Sequence, residues 1–225
     1  MKRAVLVVIG VFLALVLASP VAFAQAERGT QASADTSHLA AEWWQWALSK
    51  PAAENPLLGE DPDYSEEQCD GQPLSSASDS RWFLAGTFDG SKVKRTCTAP
   101  AGKRLFFPVV NYAFLITEPD ETEQVARQAA NDYIDGLLAD PEFSMRVTVD
   151  GRRINSDRIV RADSPLFTAT VPEGGVTDAG SYDGVADGLW VNLPRLPRGE
   201  HTIRFKMSAP NAGVSQNNTY HLTVQ

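Results

Sequence analysis

The sequence predicts a mainly β protein: a β-sandwich, jelly-roll or immunoglobulin-like, of about eight strands, with two helices packed on or beside it. Three observations predict it. Short runs of alternating apolar and polar residues, separated by turn residues, fill most of the chain after residue 81. Only two segments carry a helical period. Strands and helices do not alternate, so a parallel α/β sheet is not expected.

In chain order, Lys2 and Arg3 precede an apolar run from Ala4 to Leu17, and Ala22-Phe23-Ala24 follows as a small-x-small motif. This is the plan of a signal peptide over residues 1–24, cleaved near Ala24. The run is shorter than the ~20 residues that span a bilayer. No second run of that length follows, so the expected product is secreted, extracellular or periplasmic, and not membrane-spanning. Residues 25–36 are small and polar and read as a flexible lead-in. Residues 37–225 read as a single β-rich globular domain.

Residues 37–49 read as a helix stopped by Pro51. Its centre is EWWQWAL, with three of the five tryptophans of the chain. At ~100° per residue, His38, Glu42, Gln45 and Ser49 form one narrow polar strip. The indoles are spread over the apolar arc, Trp43 near its middle and Trp44 and Trp46 towards its margins. That arrangement suits a helix sunk into a core, with Trp46 the ring expected to reach a cleft. Residues 51–80 hold prolines at 51, 56, 62 and 73 and read as irregular.

Strands follow. RWFLAGT (81–87) leads into the turn FDGS, and VKRTCTA (93–99) alternates. RLFFPVVN (104–111) is almost continuously apolar, as a strand covered on both faces would be; Pro108 belongs at a strand end, bulge or edge. Residues 120–139 read as the second helix, with Asp120 and Glu123 as a capping box. Two stripes, Val125-Ala129-Tyr133-Leu137 and Ala126-Ala130-Ile134-Leu138, form its expected apolar face. FSMRVTV (143–149) alternates into Asp150-Gly151, a two-residue hairpin turn that requires positive φ. FTATV, GLWVNL, EHTIRFKM and NTYHLTV supply the remaining strands.

Without Lys2 and Arg3, 18 basic residues face 28 acidic ones. Such a chain is repelled by phosphate backbones, so nucleic acid is not an expected partner. Cys69 and Cys97 are the only cysteines. In an exported chain one pair most simply forms a disulfide; metal ligation is the alternative.

The stretches WWQWALSKPAAENPLL, Cys69 with its following GQ, WFLAGTFDG, RTCTAPAGKRLFFPVVN, LPRGEHTIRF and TYHLTV occur in one order. Their combination resembles an uncharacterised family of exported bacterial proteins, over nearly all of the chain after the leader. The resemblance implies secretion and a paired Cys69–Cys97, and brings no activity or catalytic residue with it.

No histidine pair has metal-ligand spacing and no GxSxG elbow occurs. No catalytic residue, metal or cofactor is therefore indicated. The acids of 61–70 (Asp61, Asp63, Ser65, Glu66, Glu67) fail the calcium-loop pattern, because Pro62 and Gln72 stand at critical positions. Asp178, Asp183 and Asp187 are expected in a glycine-rich loop, either wrapping a cation or forming a plain turn. Trp190 has the opposite parity to Leu189 and Val191. It belongs on the outer face of its sheet, stacked on a sugar or covered by a helix, with Tyr182 nearby. His201 sits at the mouth of an inward face, as a strand-end histidine or as a base or ligand. The run Arg152, Arg153, Arg158, Arg161 suits either carboxylate recognition, as in uronic-acid polymers, or a solvated hairpin rim. The candidate ligand-binding residues are thus Trp190, Tyr182, Asp183, Asp187 and His201. The expected function is an extracellular binding or structural module for a glycan or cell-surface polymer. The alternative is an extracellular hydrolase or lyase acting on a polysaccharide.

Overall fold

The computed structural model describes residues 20–58 and 69–225, with side chains from Ser33 onward. Most of the expected signal peptide, residues 1–19, and the acidic stretch 61–68 lie outside the described residues. Helix α1 spans Pro20–Leu48. It begins well before residue 37 and takes in the segment 25–36 expected to be a flexible lead-in. Seven of its twelve residues are Ala, Gln, Glu or Arg, all good helix formers, with Gly29 the poorest of the rest.

The strands are β1 (Arg81–Phe83), β2 (Lys92–Ala99), β3 (Arg104–Ile116), β4 (Ser144–Val149), β5 (Arg152–Arg153), β6 (Ile159–Asp163), β7 (Phe167–Val171), β8 (Gly180–Arg195), β9 (Gly199–Ala209) and β10 (Val214–Val224); helix α2 is Glu123–Leu138. They form two five-stranded sheets. In the first, β3 lies between β1 and β8, and the far edge of β8 pairs with β7 along its first half and β6 along its second. The second runs β2-β10-β9-β4-β5. Each sheet is mixed, because β1–β3 and β2–β10 are parallel. The sandwich with two helices is as the sequence predicts. The two strands beyond the expected eight are β5 and β6, drawn from the arginine-rich run 152–161, whose charge masks their pairing.

The first sheet is the middle layer. Phe107, Val191 and Leu193 on one face pack with Ile203, Phe205 and Leu222 of the second sheet. Phe106, Ala186 and Trp190 on the other face pack against Trp43 and Trp46 of α1. This double burial is why RLFFPVV lacks polar alternation. The register of β3 slips between Pro108 and Val110, so the proline sits at a bulge, where no ladder bond is demanded of it. In α2 the stripe Ala126, Ala130, Ile134 and Leu137 is buried. Val125 and Tyr133 of the first expected stripe are exposed, Val125 by 53%. The cap is Thr122, whose Oγ1 accepts from the Val125 N–H, and not Asp120. Asp150 and Gly151 both take positive φ, as their turn requires.

The glycine-rich 178–188 stretch is mostly strand, not loop. Gly184 and Gly188 are there because β3 passes too close for a side chain. A Cβ at Gly188 would lie 2.7 Å from the Val110 carbonyl oxygen and from the Asn111 Cβ. Cys69 and Cys97 form a disulfide that ties the irregular segment to β2. Arg95, of the same parity as Cys97, is fully buried. Its guanidinium donates to the carbonyls of Pro56, Ala85 and Gly86 and to the Tyr220 hydroxyl, joining three separate stretches of chain.

Candidate functional site

The five residues singled out from the sequence do not converge. Trp190 is 1% exposed; it stacks on Phe106 at 5.3 Å, meets Trp43 edge-on, and donates its Nε1–H to the Ala162 carbonyl. Of the two readings of its outer-face position, cover by a helix is the one found, and no ring face is left for a ligand. Tyr182 lies on the same face and donates its hydroxyl to the Asp178 carbonyl.

Asp183 and Asp187 have the opposite parity on β8. Asp183 accepts from the Thr168 hydroxyl at 2.6 Å. Asp187 is buried and binds the Arg161 guanidinium at 2.6 and 3.0 Å, while Arg161 also reaches Asp135 of α2. The hydrogen bonds that the Arg161 guanidinium donates to Asp187 outweigh burial and raise the Arg161 pKa. This cluster fastens α2 to the first sheet, helped by Arg127, which holds Glu123 and Asp163. Among the described residues no group of three His, Cys, Asp or Glu side chains is placed to hold a metal ion.

His201 belongs to the other sheet. Its Nδ1 lies 2.8 Å from Asp150 Oδ2 and its Nε2 lies 2.9 Å from the Pro197 carbonyl oxygen. Burial lowers the His201 pKa, but the bonds to Asp150 and Pro197 and the Asp150 charge more than offset it and the pKa is raised. With both ring nitrogens facing acceptors, the imidazolium is the form that fits. The ring pins the 150–151 turn to the start of β9 and has no nitrogen left to serve as a base.

A different set of residues forms a cleft of about 370 Å³. It opens where the centre of β3 meets the loop 86–91, the start of β10 and one turn each of α1 and α2. Two ring pairs border it. Trp44 stacks with Phe88 at 6.3 Å, and Tyr112 with Tyr133 at 4.5 Å. Phe88 is 51% exposed, so one ring of the first pair faces solvent. Neutral polar groups line the remainder, among them Thr87, Asn111, Ser215 and Gln216.

The loop wall of the cleft is pre-set. Gln216 Nε2 donates to the Thr87 carbonyl at 2.6 Å, and the Phe88 N–H donates to the Leu57 carbonyl. Gly90 has φ +71, and a Cβ there would stand 2.3 Å from the Ser215 carbonyl oxygen. Asp89 accepts the Ser91 N–H, which keeps its pKa below the usual carboxylate value. Burial, then the neighbouring Tyr112, raises the Tyr133 pKa.

Two donors on lining residues have no hydrogen-bond partner among the described residues: the Trp44 indole N–H and the Asn111 amide. Trp44 is only 5% exposed. A buried donor without a partner costs ~1–3 kcal/mol, so each such group calls for an explanation.

Sequence reasoning missed this cleft, and placed Trp46 instead of Trp44 at one. Trp46 is 1% exposed and donates to the Asp70 carbonyl. The two rings sit at opposite margins of the helix arc, and only the fold says which margin is open. The FDGS stretch was legible as a turn, and Tyr133 was legible only as a member of an apolar helix stripe.

No protein-family model matches the chain, and no curated protein does. Among solved structures, the solution structure of amebosin aligns with 64% of this chain and 96% of its own at 15% identity, with a TM-score of 0.22.

Proposed function

We propose that the protein is an exported binding module that takes a neutral, hydroxyl-rich ligand, a glycan segment, into the cleft between Trp44, Phe88, Tyr112 and Tyr133. The observation that carries this is the pairing of two sets of stacked rings with a neutral polar lining at one concavity. Aromatic faces pack against the C–H faces of sugars, and sugar hydroxyls exchange hydrogen bonds with neutral polar residues such as Thr87, Asn111 and Ser215 of the lining. The volume falls within the range of small-ligand clefts. Export is supported by the basic-then-apolar N-terminal segment and by the Cys69–Cys97 bridge, since such bonds persist in oxidising compartments.

Binding is preferred to hydrolysis or lysis on the chemistry of the lining. Glycoside hydrolysis ordinarily uses two carboxylates on either side of the scissile bond. The described lining offers one, Asp89. A lyase base needs a phenol or imidazole whose pKa falls towards neutrality, whereas that of Tyr133 is raised. The test is retention on immobilised neutral oligosaccharides, with product analysis. Retention without product, weakened about tenfold in Phe88→Ala and in Asn111→Ala (~1.4 kcal/mol), is expected. Release of product, or retention indifferent to both substitutions, would overturn the proposal.

A further inference from the structure

The solvent face of the second sheet carries a grid of cations. Two cross-strand rows define it. Lys92, Asn217, Lys206 and Arg146 are register partners in succession across β2, β10, β9 and β4. Lys94, Thr219, Arg204, Thr148 and Arg153 are partners across all five strands. Strands lie about 4.8 Å apart and rows two residues apart are separated by about 7 Å. Six cations therefore share a patch roughly 20 Å wide.

Nothing in the described fold neutralises them. None of the six makes an ion pair with a described residue. Along the outward positions of these strands the one acid is Glu200, at the far end, where it accepts from the Thr223 hydroxyl. Like charges on neighbouring strands repel. In a chain of net charge −8, this concentration calls for an external partner. Two shallow concavities mark the patch: one is lined by Arg146, Arg204 and Lys206, the other by Arg146, Arg153 and Lys206 together with Asn217.

We infer that this face is a docking surface for an acidic polysaccharide, a polymer whose sugars carry carboxylates. The surface adjoins the neutral-ligand cleft at Ser215, but none of its six cations lines that cleft. Carboxylates take bidentate bonds from Arg146, Arg153 and Arg204. Beside the cations stand Asn217, Ser144 and Ser215, which match sugar hydroxyls. No Phe, Tyr or Trp lies among the outward strand positions, where the one ring is the imidazole of His221 beyond the cation rows, so the large stacking platforms that hold single-stranded nucleic acid are missing. No large apolar side chain projects there to enter a bilayer. The net negative charge also disfavours the denser charge of a nucleic acid or an anionic membrane more than that of a polyuronate.

The test is retention of the purified protein on immobilised polygalacturonate. Its methyl-esterified form, a single-stranded oligonucleotide and phosphatidylserine-bearing vesicles serve as parallel arms. Retention on polygalacturonate, lost as salt rises and absent on the ester, is expected. Lys206→Gln or Arg204→Gln lowers affinity about two- to fivefold, the size of an exposed charge contact. The quadruple Lys94→Gln, Arg146→Gln, Arg204→Gln, Lys206→Gln variant lowers it more than tenfold, with an unchanged thermal midpoint. Arg158→Gln with Arg198→Gln, exposed bases off this face, leaves binding intact. Absence of retention at low salt, an equal loss in the control pair, or tighter binding to the oligonucleotide or vesicles would overturn the inference.

Discussion

Trp43 and Trp44 are adjacent, nearly equally buried and chemically identical, yet the structure predicts opposite responses to one substitution. Trp43 is 0% exposed, and its Nε1–H donates to the Leu84 carbonyl at 2.9 Å. Its ring touches those of Trp44, Trp46 and Trp190. Trp43→Phe removes the donor and strands a buried carbonyl, which costs ~1–2 kcal/mol. The smaller ring leaves part of the indole volume empty, at a further ~1 kcal/mol. The sum, ~2–3 kcal/mol, corresponds to a melting-point drop of roughly 4–12 °C for a domain of this size. Trp43→Ala adds the loss of the whole ring, ~3–5 kcal/mol in all before the stranded carbonyl, and should cut the yield of folded protein. Trp44→Phe removes a donor that has no partner among the described residues. That relieves a desolvation cost and offsets the loss of ring volume, so stability should change by less than ~1 kcal/mol. Thermal and urea unfolding followed by far-ultraviolet circular dichroism measure all three variants. Equal destabilisation by Trp43→Phe and Trp44→Phe would refute the reasoning, because it would mean that ring volume alone sets the cost.

Two further outcomes follow from the fold. Replacing Cys69 and Cys97 by alanine opens a loop of sequence separation 28. Chain entropy sets the loss near ~3.5 kcal/mol, so the denaturant midpoint should fall clearly; an unchanged midpoint would show the bridge to be idle. The His201–Asp150 pair makes stability depend on pH. The raised His201 pKa contributes stability that is full below its unfolded value, near 6.5, and disappears as pH rises through the folded value. Asp150 is opposed by burial but held by His201 and the Thr202 N–H, and its pKa is lowered. Its share is present above ~4 and lost as pH falls through the folded value. The gap in melting temperature between wild type and His201→Gln should therefore be widest between about pH 4 and 6.5 and shrink above neutrality; a gap that widens there would contradict the assignment.

Layers were more legible in the sequence than sites, and particular residues show why. Period-2 alternation and the unbroken RLFFPVV run report local burial, which each residue carries with it. Trp43 at the centre of the helix arc was readable for the same reason. Gly184 and Gly188 misled because a glycine that spares room for a neighbouring strand looks identical, in one dimension, to a glycine in a loop. Arg95 escaped notice because charge argues against burial, although its parity with Val93 and Cys97 was available. The cleft was not readable at all. Its rings come from positions 44, 88, 112 and 133, which no local period connects. The cation grid is visible only once register sets Lys92 and Arg146 in one row.

The parallel pairing of β2 with β10 has a temporal side. β10 follows every other strand in the chain, yet it is an interior strand of its sheet, flanked by β2 and β9. A polypeptide that emerges N-terminal end first must hold β2 in waiting while everything up to residue 214 appears. Until then both β2 and β9 expose a bare edge, the kind that invites pairing between chains. Cys69 and Cys97 emerge long before β10, so their covalent link can hold the waiting strand in place during that interval. Closure of the second sheet, and with it the outward array of lysines and arginines, waits for β10 to enter between β2 and β9.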